Sequence, residues 1–289
     1  MRYNEKANLD PSRMRTGGGR GGGRGGLAIG GGVGGLVIVL IALFLGINPD
    51  MLTGGPAPDP QEPQQSNAYE RCQGEGIDIS KDRECRWVAY ENSIHNYWVE
   101  QYEGHRPASM NIFTGQISTG CGTADSSVGP FYCPADMGIY LDTGFFDQLV
   151  SQLGAKGGDA AEAYVIAHEY GHHIQNLSGD MNRAQGDRST GPQSAAVRLE
   201  LQADCYAGVW LSNAAKDPES PIAEVTADDV QRAQDAAHSV GDDRIQERTA
   251  GRVDRESWTH GSAEQRQKWM RIGFDSGDPR KCNTWSGRL

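Results

Sequence analysis

From Gly25 to Pro49 the chain carries no charged residue, and this run constrains everything on either side of it. As a helix rising about 1.5 Å per residue, Leu27 to Ile47 is long enough to cross a hydrocarbon core of about 30 Å. Leu36 to Leu45 is apolar throughout, whereas Gly30, Gly31, Gly32, Gly34 and Gly35 weaken a helix in water. Glycine is common in bilayer helices, so it does not argue against a span. Basic residues precede the run and Asp50 follows it. The positive-inside rule therefore predicts a cytoplasmic amino terminus and an extracytoplasmic remainder. No small-residue cleavage pattern follows Leu45, which favours a retained single-pass anchor over a removed signal peptide. The expected organisation is a basic Gly/Arg-rich cytoplasmic tail at 1–26, one transmembrane helix at 27–47, a Pro-rich linker at 48–66 and a single domain at 67–289.

Charge and cysteine usage fit that division. In residues 1–26, Arg2, Lys6, Arg13, Arg15, Arg20 and Arg24 face only Glu5 and Asp10, so this segment is basic and the later body is more acidic than the chain's net charge of -11. An acidic body excludes a nucleic-acid partner, because phosphate contacts need clustered Lys and Arg. Phe44 is the only aromatic between Tyr3 and Tyr69, which places the expected core in the later domain. All six cysteines follow the apolar run, as in a disulfide-bonded domain of an oxidising compartment. Proximity in sequence pairs Cys72 with Cys85 and Cys121 with Cys133, leaving Cys205 with Cys282. No C-x-x-C pair is present, so a cysteine-built zinc site is not expected.

Trp87, Tyr90, Ile94, Trp98 and Tyr102 recur at steps of three and four and predict a helix from Asp82 to about Gly104. Strands are expected near Met110–Thr114 and Gly138–Leu141, with a loop between them. Helices are expected at 159–177, 193–215, 227–240 and 262–273. A few strands followed by many helices reads as α+β, mainly helical with a small sheet.

The chemistry concentrates at His168-Glu-Tyr-Gly-His172. On a helix, positions i and i+4 share a face, so both imidazoles can reach one metal ion. Glu169 sits about 100° further round, placed to act on a water at that ion. An extension with Gly at 175 and His at 178 would supply a third histidine, but the chain has Gln175 and Ser178. Glu200-Leu-Gln-Ala-Asp204 repeats the i, i+4 spacing on a second helix. Glu200 completes a His₂Glu site with an open fourth position, and Asp204 can hold the second nitrogen of a ligand histidine. Asp204 as third ligand is the alternative assignment. His260 is a candidate to stabilise the oxyanion of an acyl-transfer reaction, with Arg244 as a second candidate. His173, His95 and His105 read as packing residues. Tyr140 is a candidate to line the cleft, on fold analogy alone.

These residues resemble the neutral zinc metallopeptidase family of bacterial membrane-anchored proteins. The resemblance is carried by HEYGHHIQ (168–175) and RLELQADCYAGVW (198–210). It extends through GCGTADSSVGPFYCPADMGIYLD (120–142), GDDRIQ (241–246), THGSAEQRQKW (259–269), and SGDP with the final cysteine (276–282). It implies a zincin-like domain of gluzincin type, one Zn²⁺ per chain, and hydrolysis of a peptide or protein substrate. Glu169 would be the general base in that reaction. The rival expectation is an extracytoplasmic binding or scaffolding protein that keeps zinc for stability alone.

Overall fold

The computed structural model describes residues 1–17, 64–65, 67–74, 77–184 and 186–289. The expected span at 27–47, residues 18–26 of the tail and residues 48–63 of the linker lie outside the described residues. Among the described residues no helix is long and apolar enough to cross a membrane.

Residues 1–17, expected as part of a cytoplasmic tail, belong instead to the folded unit. Strand β1 (Arg2–Tyr3) pairs with β9 (Ile222–Glu224). Strand β2 (Met14–Gly17) enters the main sheet between β3 (Gln64–Gln65) and β4 (Ser109–Phe113). The physical reason is burial of side chains that composition alone does not single out. Ala7, Leu9 and Met14 enter the core, and Tyr3 packs against it. Arg13 grips Glu91 with a fork, Nε to Oε1 at 2.6 Å and Nη2 to Oε2 at 3.1 Å. Glu91 is 1% exposed, and burial raises its carboxyl pKa against the pull of Arg13. Arg13 is thus the partner of a buried carboxylate rather than part of a cytoplasmic charge cluster.

Helix α1 (Arg83–Gln101) starts where the Asp82 side chain accepts from the amides of Glu84 and Cys85, and it buries Trp87, Tyr90, Ile94 and Trp98 as their spacing predicts. Beyond β4 come β5 (Gln116–Thr119) and β6 (Gly122–Asp125), which form a separate hairpin. Strands β7 (Phe131–Cys133) and β8 (Gly138–Asp142) complete the main sheet in the order β3-β2-β4-β8-β7. Its inner pairs β2–β4 and β4–β8 are parallel, and the two outer pairs are antiparallel. Tyr140 does not line a cleft. It stacks on Phe131 inside a small second core and donates to Asp136 at 2.7 Å.

The helices that follow are α2 (Phe145–Ser151), α3 (Asp159–Ser178), α4 (Asp180–Ala184), α5 (Ala195–Asn213), α6 (Ala227–Ser239), α7 (Asp242–Ala250) and α8 (Ala263–Ser276). Ser194 caps α5, and capping boxes start α6 at Thr226 and α8 at Ser262. Helix α3 packs on α1, α5 and α6, and α8 lies along α5. A Cβ at Gly208 would stand 2.0 Å from the carbonyl of Met270, and one at Gly273 equally close to that of Cys205. The backbones of α5 and α8 therefore touch. The three disulfides are Cys72–Cys85, Cys121–Cys133 and Cys205–Cys282, the pairing that proximity predicts. The mixed α+β expectation holds, with a sheet enlarged by β2 and β3.

A chain that begins at Asn67 lacks β1 and β2, opens the core at Leu9 and Met14, and leaves Glu91 buried without its cation. Each lost apolar side chain costs about 1.5–3 kcal/mol and the orphaned charge about 3–5. That total is comparable to a domain's whole stability of about 5–15 kcal/mol. Calorimetry is expected to show a cooperative transition for the full chain and none for the truncated one. An unchanged melting temperature after truncation would contradict the assignment of residues 1–17 to the fold.

Candidate metal centre

Helix α3 is buried through its central turns, and His168, Glu169 and His172 are each less than 9% exposed. The apolar residues before them, Ala163 to Ala167, fix the helix in the core, so its polar residues face an interior site. Gly171 lies between the ligand pair for a packing reason. A Cβ there would come within 3.0 Å of the Cα of Ala203, so glycine lets α3 approach α5 closely at this point.

That approach brings Glu200 of α5 to the histidines. Its carboxylate lies 3.2 Å from Nε2 of His168 and 3.5 Å from Nε2 of His172. The ligand atoms of His168, His172 and Glu200 all lie within 4.8 Å of one another, the only such group of three or more among the described residues. Glu200, not Asp204, is therefore the carboxylate that joins the histidine pair.

Asp204 stands behind the site. Its side chain is fully buried, and Oδ1 lies 2.8 Å from Nδ1 of His168 and also accepts from the hydroxyl of Tyr164. Nδ1 of His172 lies 2.8 Å from Oε1 of Gln175. The Gln175 amide is oriented by donating to the carbonyl of Leu199 at 2.7 Å. Both histidines therefore donate from Nδ1 and turn Nε2 toward Glu200, where a metal ion would take the place of any proton on that nitrogen. Two imidazole nitrogens and one carboxylate form the donor set of an open zinc site, so the residues present fit that metal.

Arg266 of α8 is the cation of this region, and the sequence reading did not find it. Its Nε and Nη2 reach the two oxygens of Asp204 at 2.8 and 2.9 Å, and Nη1 donates to the carbonyl of Val240. A signal was present, because Ala263, Arg266, Trp269, Met270 and Gly273 form the buried stripe of α8. An arginine on an apolar stripe marks a buried charge that needs a partner. Arg244, the second oxyanion candidate, instead pairs with Glu247 at 2.9 Å on the exposed side of α7.

His260 lies at the site, near enough to Glu200 and Glu169 to favour their ionised forms. Its Nδ1 is 3.2 Å from Oδ1 of Asp242. Oδ2 of Asp242 accepts from the amides of Thr259, His260 and Gly261 at 2.7–3.0 Å, which fixes the loop that carries the imidazole. His173 is buried against Arg106 and Tyr132, and His95 and His105 share the hydroxyl of Tyr170, as expected of packing residues.

The electrostatics favour a cation. Burial opposes charge on His168, yet Asp204 and Glu200 hold its pKa up to about 10. Burial pushes His172 down to about 4. Glu200 stays well below the usual carboxylate range despite burial, because His260 and His172 face it. Burial pushes Glu169 up to about 7. No side chain among the described residues hydrogen-bonds its carboxylate, which is left open to a reactant.

This combination of fold and donor set defines a chain with a largely buried His-His-Glu group that could hold a metal ion. The chain belongs to the family described as "Putative neutral zinc metallopeptidase", which it matches over residues 1–285. Relatives include the uncharacterized protein Rv2575 of Mycobacterium tuberculosis, 50% identical over 216 residues that cover 73% of each chain. The uncharacterized protein YpfJ of Escherichia coli is 37% identical over 259 residues, 86% of this chain and 85% of that one. No solved structure matches.

Replacing Glu200 by Ala is expected to abolish tight zinc binding. Asp204→Asn, which keeps the three first contacts, is expected to weaken it by about 10–100-fold. Chelator competition on variants with an unchanged circular dichroism spectrum checks both. Wild-type affinity in Glu200→Ala would remove that residue from the site.

Proposed function

We propose that this chain is a zinc-dependent peptidase with a zincin-like catalytic domain. The observation that carries the reading is the convergence of His168, His172 and Glu200 beside Glu169, a buried carboxylate with no partner of its own. A structural zinc site closes its fourth position and has no use for such a base.

His168, His172 and Glu200 would hold the zinc through Nε2, Nε2 and a carboxylate oxygen. Zinc at that place supplies Lewis acidity toward a carbonyl oxygen and toward water. Glu169 takes a proton from the attacking water onto its carboxylate and returns it to the leaving amine. A carboxylate raised to about 7 is matched to both halves of that task at neutral pH. His260, with its pKa raised by Glu200 and Asp242 against burial, carries a proton on Nε2 and donates it as a hydrogen bond to the developing oxyanion. Asp242 orients that ring, and Asp204 with Arg266 orients His168. The substrate backbone is expected beside β7, the sheet edge whose Tyr132 hydroxyl meets His173 and Asn176 of α3.

Glu169→Gln is expected to retain zinc and lose about 10²–10⁴-fold in kcat on any peptide the wild type cleaves. Undiminished turnover in that variant would contradict the assignment of the base. A wild type that holds zinc and cleaves nothing in a diverse peptide library would favour the scaffolding role instead.

A further inference from the structure

The two histidines of the metal centre are held from behind by different chemistry. His168 has a carboxylate at Nδ1, and either oxygen of Asp204 can accept there. His172 has an amide instead, with Oε1 of Gln175 at 2.8 Å from Nδ1. An amide accepts at one end and donates at the other, so its orientation has to be imposed. With its oxygen toward His172, Gln175 accepts the Nδ1 proton and leaves Nε2 for a metal ion. Turned over, it would donate to Nδ1, which puts the proton of the imidazole on Nε2 and blocks that nitrogen.

What imposes the orientation lies beyond the ligands. Gln175 is fully buried, and its Nε2 donates to the carbonyl of Leu199 at 2.7 Å and to Oε1 of Gln202 at 3.0 Å. Gln202, 4% exposed on α5, carries the same ambiguity. It is resolved at the other end, where Nε2 donates to Oδ2 of Asp180 at 3.1 Å. Asp180 is partly exposed at the start of α4, and its Oδ1 accepts from Arg183 at 3.2 Å. A carboxylate paired with an arginine accepts and does not donate. The direction of every hydrogen bond in the row follows from that end. Reversing Gln202 alone would set two amino groups 3.0 Å apart and aim its oxygen at the Asp180 carboxylate. Reversing Gln175 alone would aim its oxygen at the Leu199 carbonyl and the Gln202 oxygen.

We propose that Gln202 and Asp180 are positioning residues for the metal centre, which fix the direction of a hydrogen-bonded row that keeps a proton on Nδ1 of His172 and Nε2 free for a metal ion. The proposal deepens the zinc reading and rests on it for the affinity measurement alone. The position of the proton is read without metal, so the row and the zinc reading can fail separately.

The test uses the full chain with its histidine nitrogens isotopically labelled. Nitrogen chemical shifts of the His172 ring in metal-free protein, identified by their loss in His172→Ala, report whether Nδ1 carries a proton. Chelator competition reports zinc affinity. Gln202→Lys offers donors only while still reaching Asp180, so Gln175 must turn its oxygen away from His172. That variant is expected to lose the Nδ1 proton and to bind zinc about 10–100-fold more weakly. Gln202→Glu combined with Asp180→Asn reverses the outer link alone and still offers Gln175 an acceptor, so it is expected to keep both. Should Gln202→Lys fail to fold, Asp180→Lys imposes the same reversal from the partly exposed end. An Nδ1 proton that persists in the lysine variants would overturn the proposal, even with weakened zinc binding, because it would mark the row as packing alone. A displaced proton with unchanged zinc affinity would uphold the row and remove His172 from the metal centre.

Discussion

A carboxylate excluded from water must be compensated by groups that reach it through the core, and Asp204 is compensated from two other helices. Tyr164 and His168 reach it from α3, and Arg266 forks onto it from α8. Those contacts fix three helices relative to one another. They also hold the Nδ1 side of His168, and so set which nitrogen faces Glu200. The close approaches at Gly171, Gly208 and Gly273 allow this interaction by bringing the backbones near enough for short side chains to meet. Removing either charge would leave the other buried and unpaired, at a cost of about 3–5 kcal/mol. Ligand geometry and fold stability thus depend on one group.

The ligand set was legible because helical spacing is a local property. His168 with His172, and Glu200 with Asp204, follow from i, i+4 periodicity once each segment is known to be helical. The division of labour between Glu200 and Asp204 is not local, since it depends on the crossing of α3 and α5. Gln175 was read only as the absence of a further ligand, yet it holds Nδ1 of His172 as Asp204 holds that of His168. His260 was visible as a histidine ahead of a capped helix. Its support by Asp242 spans a loop and needed the structure. Helix α7 escaped notice because its buried residues are few, Asp242 and Ile245, and form no apolar stripe.

The amino terminus shows where composition misleads. Six basic residues before an apolar run carry the same signal whether they solvate a tail or compensate a buried acid. Arg13 does the second, because the segment just before β2 runs past Glu91 on α1. Long-range pairing of a short strand leaves no periodic trace over four residues, so β2 could not be read from the pattern of Met14 to Gly17. The disulfides were readable for the opposite reason. Two of the three close short loops, of 12 and 13 residues, and the third pair followed by elimination.

The central claim is that these side chains hold zinc for hydrolysis. Elemental analysis of the full chain, purified without chelator and with its disulfides intact, tests it most directly. The account predicts about one zinc per chain, lost in parallel with peptide cleavage on dialysis against a chelator and restored with it on adding zinc. A folded, oxidised protein that binds no zinc, or that cleaves peptides equally well without it, would contradict the account.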